Sequence, residues 1–318
     1  MNDVPTDAKV DISAEGSVGG RLVRSILRSR ETGIALAIVI MVAVLAILAP
    51  SFLSADNVSN NARNMSFVGL AVLGEALVLI IGGIDLSVGS IWGVTAVASA
   101  ALMGYGLPTP VAIAGGLSLA ALFGLFNGLC ITLLRMPPFV PTLATMSIAR
   151  ATALMITRGR SIDEFRPIGD SFFELGGGSI LGIPTPFVLF AVLSIIMWVL
   201  LDRTIFGRRL YAIGGNETAA RLSGIDVDRM KIAVYVLSAL FAGLAGLVEV
   251  SYLSSAIANQ GTGKELNVIA AAVIGGTNLM GGEGTIRGGF FGAIILEILR
   301  NGLVRIGTDA YSQGSFVG

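Results

Sequence analysis

DRTIFGRRLYAIGGNETAARLSGIDVDRMK, residues 202–231, is a polar, basic island between two long apolar runs at 183–201 and 232–253. A short helix can be read inside it. Asn216 suits an N-cap, Glu217 falls in the first turn where the helix dipole favours an acid, and Gly224 suits the left-handed C′ position. Asp226 reads as a second cap, opening the helix that continues into the following apolar run. Two turns of helix are too short to stand alone in water. The segment therefore reads either as an ordinary capped connection or as a piece that docks on something.

Outside this island the chain is apolar. Of its 318 residues 54% are hydrophobic and 13% charged, with a mean hydropathy of +0.82. A soluble globular protein carries about 25% charged residues, so the composition is that of an integral membrane protein. Lys and Arg total 21, as do Asp and Glu, so net charge says nothing about partners; no nucleic-acid partner is expected. With no His, imidazole metal sites and histidine proton relays are excluded, and Cys130 has no second cysteine for an internal disulfide.

A membrane-spanning helix needs about 20 apolar residues. After a polar tail at 1–32 we read about nine spans in one all-α transmembrane domain, 33–318: 33–53, 66–82, 87–106, 110–134, 138–157, 183–201, 232–253, 266–281 and 288–306. Basic residues set the orientation. With the N-terminus inside, the inner segments hold Lys9, Arg21, Arg24, Arg28, Arg30, Arg135, Arg203, Arg208, Arg209, Arg221, Arg229, Lys231 and Arg287. The outer segments hold Arg63, Arg158, Arg160, Arg166, Lys264 and Arg305. Residues 202–231 are thus expected in the cytoplasm and 158–182 outside.

Two Gly-rich interruptions resemble each other, IGGIDLSVGS from Ile81 and IGGTNLMGGEG from Ile274. Asp85 matches Asn278 and Leu86 matches Leu279, as an internal duplication or a chance likeness of turns would give. Paired broken helices mark transport pathways, so Gly82, Gly83, Asp85, Ser87, Gly89, Gly275, Gly276 and Asn278 are candidate break and pathway residues. Asp85 is expected first to cap the half-helix starting near Ser87 and second to line the path. Thr142, Thr145 and Ser147 are candidate pore lining for a neutral polar solute, or helix-to-helix hydrogen-bonding groups.

Ionisable residues at mid-bilayer cost about 2.5–3.5 kcal/mol each on insertion scales. Glu75, Arg150, Glu249, Glu297 and Arg300 are therefore expected to face protein or water, pairing in preference to touching a solute. Arg150 can partly snorkel, and Glu297 and Arg300 can pair at i, i+3. GTGKE from Gly261 lacks the first glycine and the final Ser or Thr of a phosphate loop. No catalytic set and no metal site is legible, so the chain does not read as an enzyme.

Four stretches carry a resemblance: GGIDLSVGS from Gly82, PPFVPTLATMSIAR from Pro137, AIGGNETAARLSGIDVDRMK from Ala212 and LNVIAAAVIGGTNLMGGEGTIRGG from Leu266. Together they resemble the membrane-spanning permease subunit of bacterial ATP-binding-cassette importers, in the ribose and monosaccharide branch. The third stretch is similar to the family's cytoplasmic coupling segment, here carried by Asn216, Ala219, Ala220, Gly224 and Ile225.

The resemblance implies a homodimeric pore in the inner membrane, a separate ATPase holding ATP and Mg, no cofactor on this chain, and a periplasmic sugar-binding protein outside. It implies that the helix of Asn216 fits a cleft on the ATPase and that closure is transmitted through the seventh span. On that reading a bulky β-branched residue at Gly224 should uncouple hydrolysis from uptake. Family members usually carry ten spans, and the tenth is expected where this sequence reads YSQGSFVG from Tyr311. An ion-coupled transporter or channel is the rival; it would show an acid path and need no docking helix. A membrane scaffold would not need the paired breaks, and the more distant branched-chain amino-acid permeases match GGIDLSVG less well.

Overall fold

The computed structural model describes residues 30–163, 165 and 171–307. Most of the tail at 1–32, Arg166 and the stretch 311–318 lie outside the described residues. Each apolar run read from the sequence falls on a helix: α1 (Arg30–Leu48), α2 (Ala55–Ile80), α3 (Val88–Gly104), α4 (Thr109–Thr132), α5 (Phe139–Thr157), α7 (Thr185–Arg203), α10 (Val227–Leu253), α11 (Lys264–Ile274) and α12 (Ile286–Arg305). A 3-10 turn, Pro50–Leu53, follows α1. The short helix α6 (Ser171–Gly176) and a tight hairpin of β1 (Ser179–Ile180) and β2 (Ile183–Pro184) lead into α7, with α8 (Ile205–Gly215) and α9 (Glu217–Leu222) between α7 and α10.

Five of these helices, α2, α4, α5, α7 and α10, are long and apolar enough to cross a membrane. Several boundaries differ from the sequence reading, most of all at α2, which begins at Ala55, eleven residues before the run read from 66, because its polar first turns are helical too. The run at 232–253 is extended to Val227, because Asp226 caps a polar first turn that hydropathy alone assigns to the loop. The run at 266–281 stops as a helix at Ile274, where Gly276 adopts φ +92° and turns the chain out of line.

α2 is the axis of the bundle. From Leu70 to Ile80 all its residues are buried, Glu75 included. α10 packs along it, with α12, α7 and α11 around the remaining sides. Without a hydrophobic driving force in lipid, close packing depends on small residues. α4 supplies them on one face as Ala112, Gly116, Ala120, Gly124 and Gly128, all buried. A Cβ on Gly124 would lie 2.5 Å from the Tyr235 carbonyl oxygen of α10, and one on Gly128 would lie 2.8 Å from Ile232 Cα. The opposite face of α4 leaves Leu122 and Phe126 exposed.

Two ends of the bundle can be distinguished. At one, Ile162 and Ala256 exchange backbone hydrogen bonds, so 158–163 lies beside the loop after α10. There too Asn57 at the start of α2 is joined to α12, exchanging hydrogen bonds with Asn301 at 3.0 and 3.2 Å and accepting from Arg305 at 2.7 Å. At the other end stand α8, α9 and the first turn of α10.

Candidate functional site

The island 202–231 folds as two helices rather than one. α9 is the helix expected: Asn216 Oδ1 accepts from the Ala219 N–H at 3.0 Å, Gly224 takes φ +81°, and the Ile225 N–H closes the end on the Ala220 carbonyl at 3.1 Å. Asp226 Oδ1 then accepts from the Arg229 N–H at 3.1 Å and starts α10. α8 was not expected. Thr204 accepts from the Gly207 N–H at its start, and Phe206, Leu210 and Ile213, spaced i, i+4, i+7, turn one face to the core.

Ion pairs hold α9 against the first turns of α10. Arg221 reaches Glu217 at 3.0 Å and Asp228 at 2.5 Å, and Lys231 reaches Glu217 at 2.7 Å. Partial burial would push the Glu217 carboxyl up, but the hydrogen bonds from Lys231 and then Arg221 outweigh it and hold it below the usual carboxylate range. The Arg221 hydrogen bond, opposed by some desolvation, holds Asp228 low as well. Of the residues assigned to coupling, Ala220 is buried and Ile225 packs on the core, while Asn216, Ala219 and Gly224 are exposed. Leu222 is 86% exposed, an apolar side chain standing free on the outer face of α9.

Both helix breaks meet α8. The first runs from Ile81 to Ser87. Gly82 takes φ +76°, and the Gly83 N–H closes α2 on the Val78 carbonyl at 2.9 Å. In the second, the Thr277 N–H closes α11 on the Ala272 carbonyl at 3.0 Å, so the same helix ending is used twice. Asp85 and Asn278 also repeat one turn, each side-chain oxygen accepting from the N–H two residues on at 2.9 Å. The breaks touch, the Gly282 N–H donating to the Ile80 carbonyl at 2.8 Å. Gly214 of α8 sits against that joint; a Cβ there would lie 1.9 Å from the Ile80 oxygen and 2.4 Å from the Gly282 nitrogen. Tyr211 Oη donates to the Gly284 carbonyl at 2.7 Å. Burial, then the Asp202 charge, pushes this phenol up to about 12, so the proton stays on and the donation persists.

Behind the first break lies a buried polar chain. Asp85 Oδ1 accepts from the Ser87 N–H and hydroxyl, and Oδ2 accepts from Ser238 at 3.1 Å. Ser87 Oγ in turn accepts from Asn127 at 3.0 Å, and Asn127 Oδ1 accepts from Thr145 at 2.6 Å. The Asp85 N–H donates to Glu75 at 3.2 Å. Asp85 closes a turn just ahead of α3 rather than capping its first turn: it accepts from the N–H of Ser87, and Ser87, the residue at the N-cap, makes no side-chain cap bond. The trio on α5 is split by helical spacing: Thr142 and Thr145 are buried towards this chain, and Ser147 is exposed on the other face. Gly89 packs against the Gly261 loop and Glu265, while Gly275 packs against Gly288. Arg150 finds Ser90 at 3.2 Å.

The comparisons with known proteins decide the family. The description "Branched-chain amino acid transport system / permease component" matches residues 57–315. The chain belongs to that permease family. The permease is 42% identical over 286 residues to the ribose import permease protein of Bacillus subtilis (strain 168), covering 89% of this chain and 88% of that one. It is 40% identical over 279 residues to the ribose import permease protein of Escherichia coli (strain K12), covering 87% of each. To the D-allose transport system permease protein of the same strain it is 35% identical over 276 residues, covering 86% and 84%. These relatives place the permease in the ribose branch of the ATP-binding-cassette importers. No solved structure matches it.

Proposed function

We propose that this permease is the membrane subunit through which a ribose-type monosaccharide enters a bacterial cell across the inner membrane, driven by a separate ATPase that holds the ATP and Mg. On this reading two copies form the pore, a periplasmic binding protein delivers the sugar, and α8 with α9 faces the cytoplasm. The observation that carries it is the joint at Gly214. A pinned platform with a free apolar knob at Leu222 is connected, backbone against backbone, to both interrupted helices. The coupling route is then α8 to the two breaks, beside the route through the seventh span. Duplication of the break-bearing units belongs to the same reading.

The test is reconstitution in liposomes with the ATPase and binding protein from the same source, followed by uptake of labelled D-ribose. Uptake that needs ATP and the binding protein is expected, with Leu222→Asp abolishing ATPase association. Accumulation driven by an ion gradient without nucleotide would overturn it in favour of an ion-coupled carrier, for which the buried Glu75 and Asp85 are the supporting feature.

A further inference from the structure

We propose that the polar cavity between α2, α10, α11 and α12, at the end of the bundle remote from α8 and α9, is a monosaccharide subsite contained within one protomer. This rests on the sugar-import reading and assigns its ligand contacts. The cavity measures about 350 Å³, at the small end of the roughly 300–1,000 Å³ typical of small-molecule sites. That volume suits a single sugar ring better than a disaccharide.

Four ionisable side chains converge on it: Glu249, Lys264, Glu297 and Arg300. Groups so costly in a bilayer line open space here, although two of them, Glu249 and Lys264, are also joined to each other. Their work is divided. Glu249 is fully engaged, accepting from Trp92 Nε1 at 2.8 Å and Gln260 Nε2 at 2.9 Å and pairing with Lys264, whose ammonium also lies 4.1 Å from the Trp92 ring centre. This cluster is a finished wall. Glu297 is different: its carboxyl is flanked by Asn64 and Arg300 on the cavity side.

A carboxylate, an amide and a guanidinium present planar arrays of acceptors and donors matched to vicinal hydroxyls, and Phe67 offers an apolar face for sugar C–H groups. Two acids and two bases leave the lining without net charge, which suits a neutral polyol and not an ion. Position adds a reason. Glu249 lies 22 residues along α10 from Val227, about 33 Å of helix, so the site opens on the side where sugar would arrive. Lys264 is the first residue of α11, whose 11 residues end at Gly275 and the second break, so occupancy at one end of a rigid helix bears on the joint at the other.

The probe is a thiol introduced at exposed Asn64 (Asn64→Cys) in a Cys130→Ser background, labelled in liposomes with a membrane-impermeant maleimide in the presence of D-ribose, D-allose, sucrose or alanine. A monosaccharide should slow labelling about fivefold or more, and sucrose and alanine should not. In the full importer Glu297→Gln should raise KM for uptake about tenfold, the loss of one charged hydrogen bond, with maximal rate little changed and Glu297→Asp recovering part of it. A merely structural role would lower yield and rate together. If the wild-type complex imports sugar while labelling is indifferent to every monosaccharide and Glu297→Gln keeps its KM, the subsite is overturned and the import reading stands. If the complex imports nothing, the import reading fails by itself.

Discussion

At the first helix break the Asp85 carboxyl is fully buried and receives three donors, from Ser87 N–H, Ser87 Oγ and Ser238 Oγ. At the second, Asn278 is exposed and caps the Met280 amide. The two begin with the same helix ending and the same side-chain turn, yet helix resumes at Val88 in one and only at Ile286 in the other. The first break is tied through Asn127 and Thr145 to α4 and α5, so it belongs to the core. The second is a longer loop at the surface whose firm contacts are with Ile80, Gly214 and Tyr211. The same local chemistry thus gives a pivot tied into the core in one place and a surface-exposed partner in the other.

Substitutions can break that contrast. The largest effect is expected at Gly214, where even the single carbon of Gly214→Ala meets two backbone atoms that have nowhere to retreat. ATP-dependent uptake in liposomes should fall at least about tenfold while membrane insertion persists. Unchanged uptake would mean that the joint carries no motion. Next, Asp85→Ala strands Ser87 and Ser238 in the core and should cost roughly 2–4 kcal/mol of stability. Asn278→Ala should cost less than about 1 kcal/mol, both read by thermal unfolding in detergent through tryptophan fluorescence. Equal losses would erase the distinction between pivot and partner.

Gly224 has open space around it, so its constraint is the left-handed backbone alone. Gly224→Val should cost about 1–2 kcal/mol and uncouple ATPase from uptake, and Gly224→Asn should recover most of the coupling. The smallest effect is acid release of α9. The carboxyls of Glu217 and Asp228 are held low, so their contribution is intact above the ordinary carboxylate value of about 4. It disappears as pH falls below that through their folded-state values. A spin label at Leu222 should stay ordered from neutral pH down to about 4 and gain mobility below it; mobility unchanged at pH 3 would show that packing of Ala220 alone holds the helix.

Much of this architecture was legible in the sequence because apolar runs and caps are local signals. Asn216, Gly224 and Asp226 each do what their residue type permits at that spacing. α8 was missed because Arg208, Arg209 and three glycines mask the stripe of Phe206, Leu210 and Ile213, so a hydropathy average reads loop where a 3.6-residue period reads helix. The same period separates Ser147 from Thr142 and Thr145, a split that counting hydroxyls along the chain overlooks. Lys264 as partner of Glu249 was out of reach, since the irregular chain at 254–263 separates their two helices. The joint of Ile80, Gly214 and Gly282 has no sequence signal beyond glycine itself.

The seclusion of α2 has a consequence for biogenesis. A helix whose apolar window is 89% buried must nevertheless leave the ribosome and enter lipid before its neighbours exist. α10, its main cover, begins about 150 residues downstream of Ile80, which at about 5–20 residues per second is roughly 7–30 s of translation. For that interval Glu75 faces acyl chains or a chaperone, and the nascent α2 is the point at which this protein is most open to quality control.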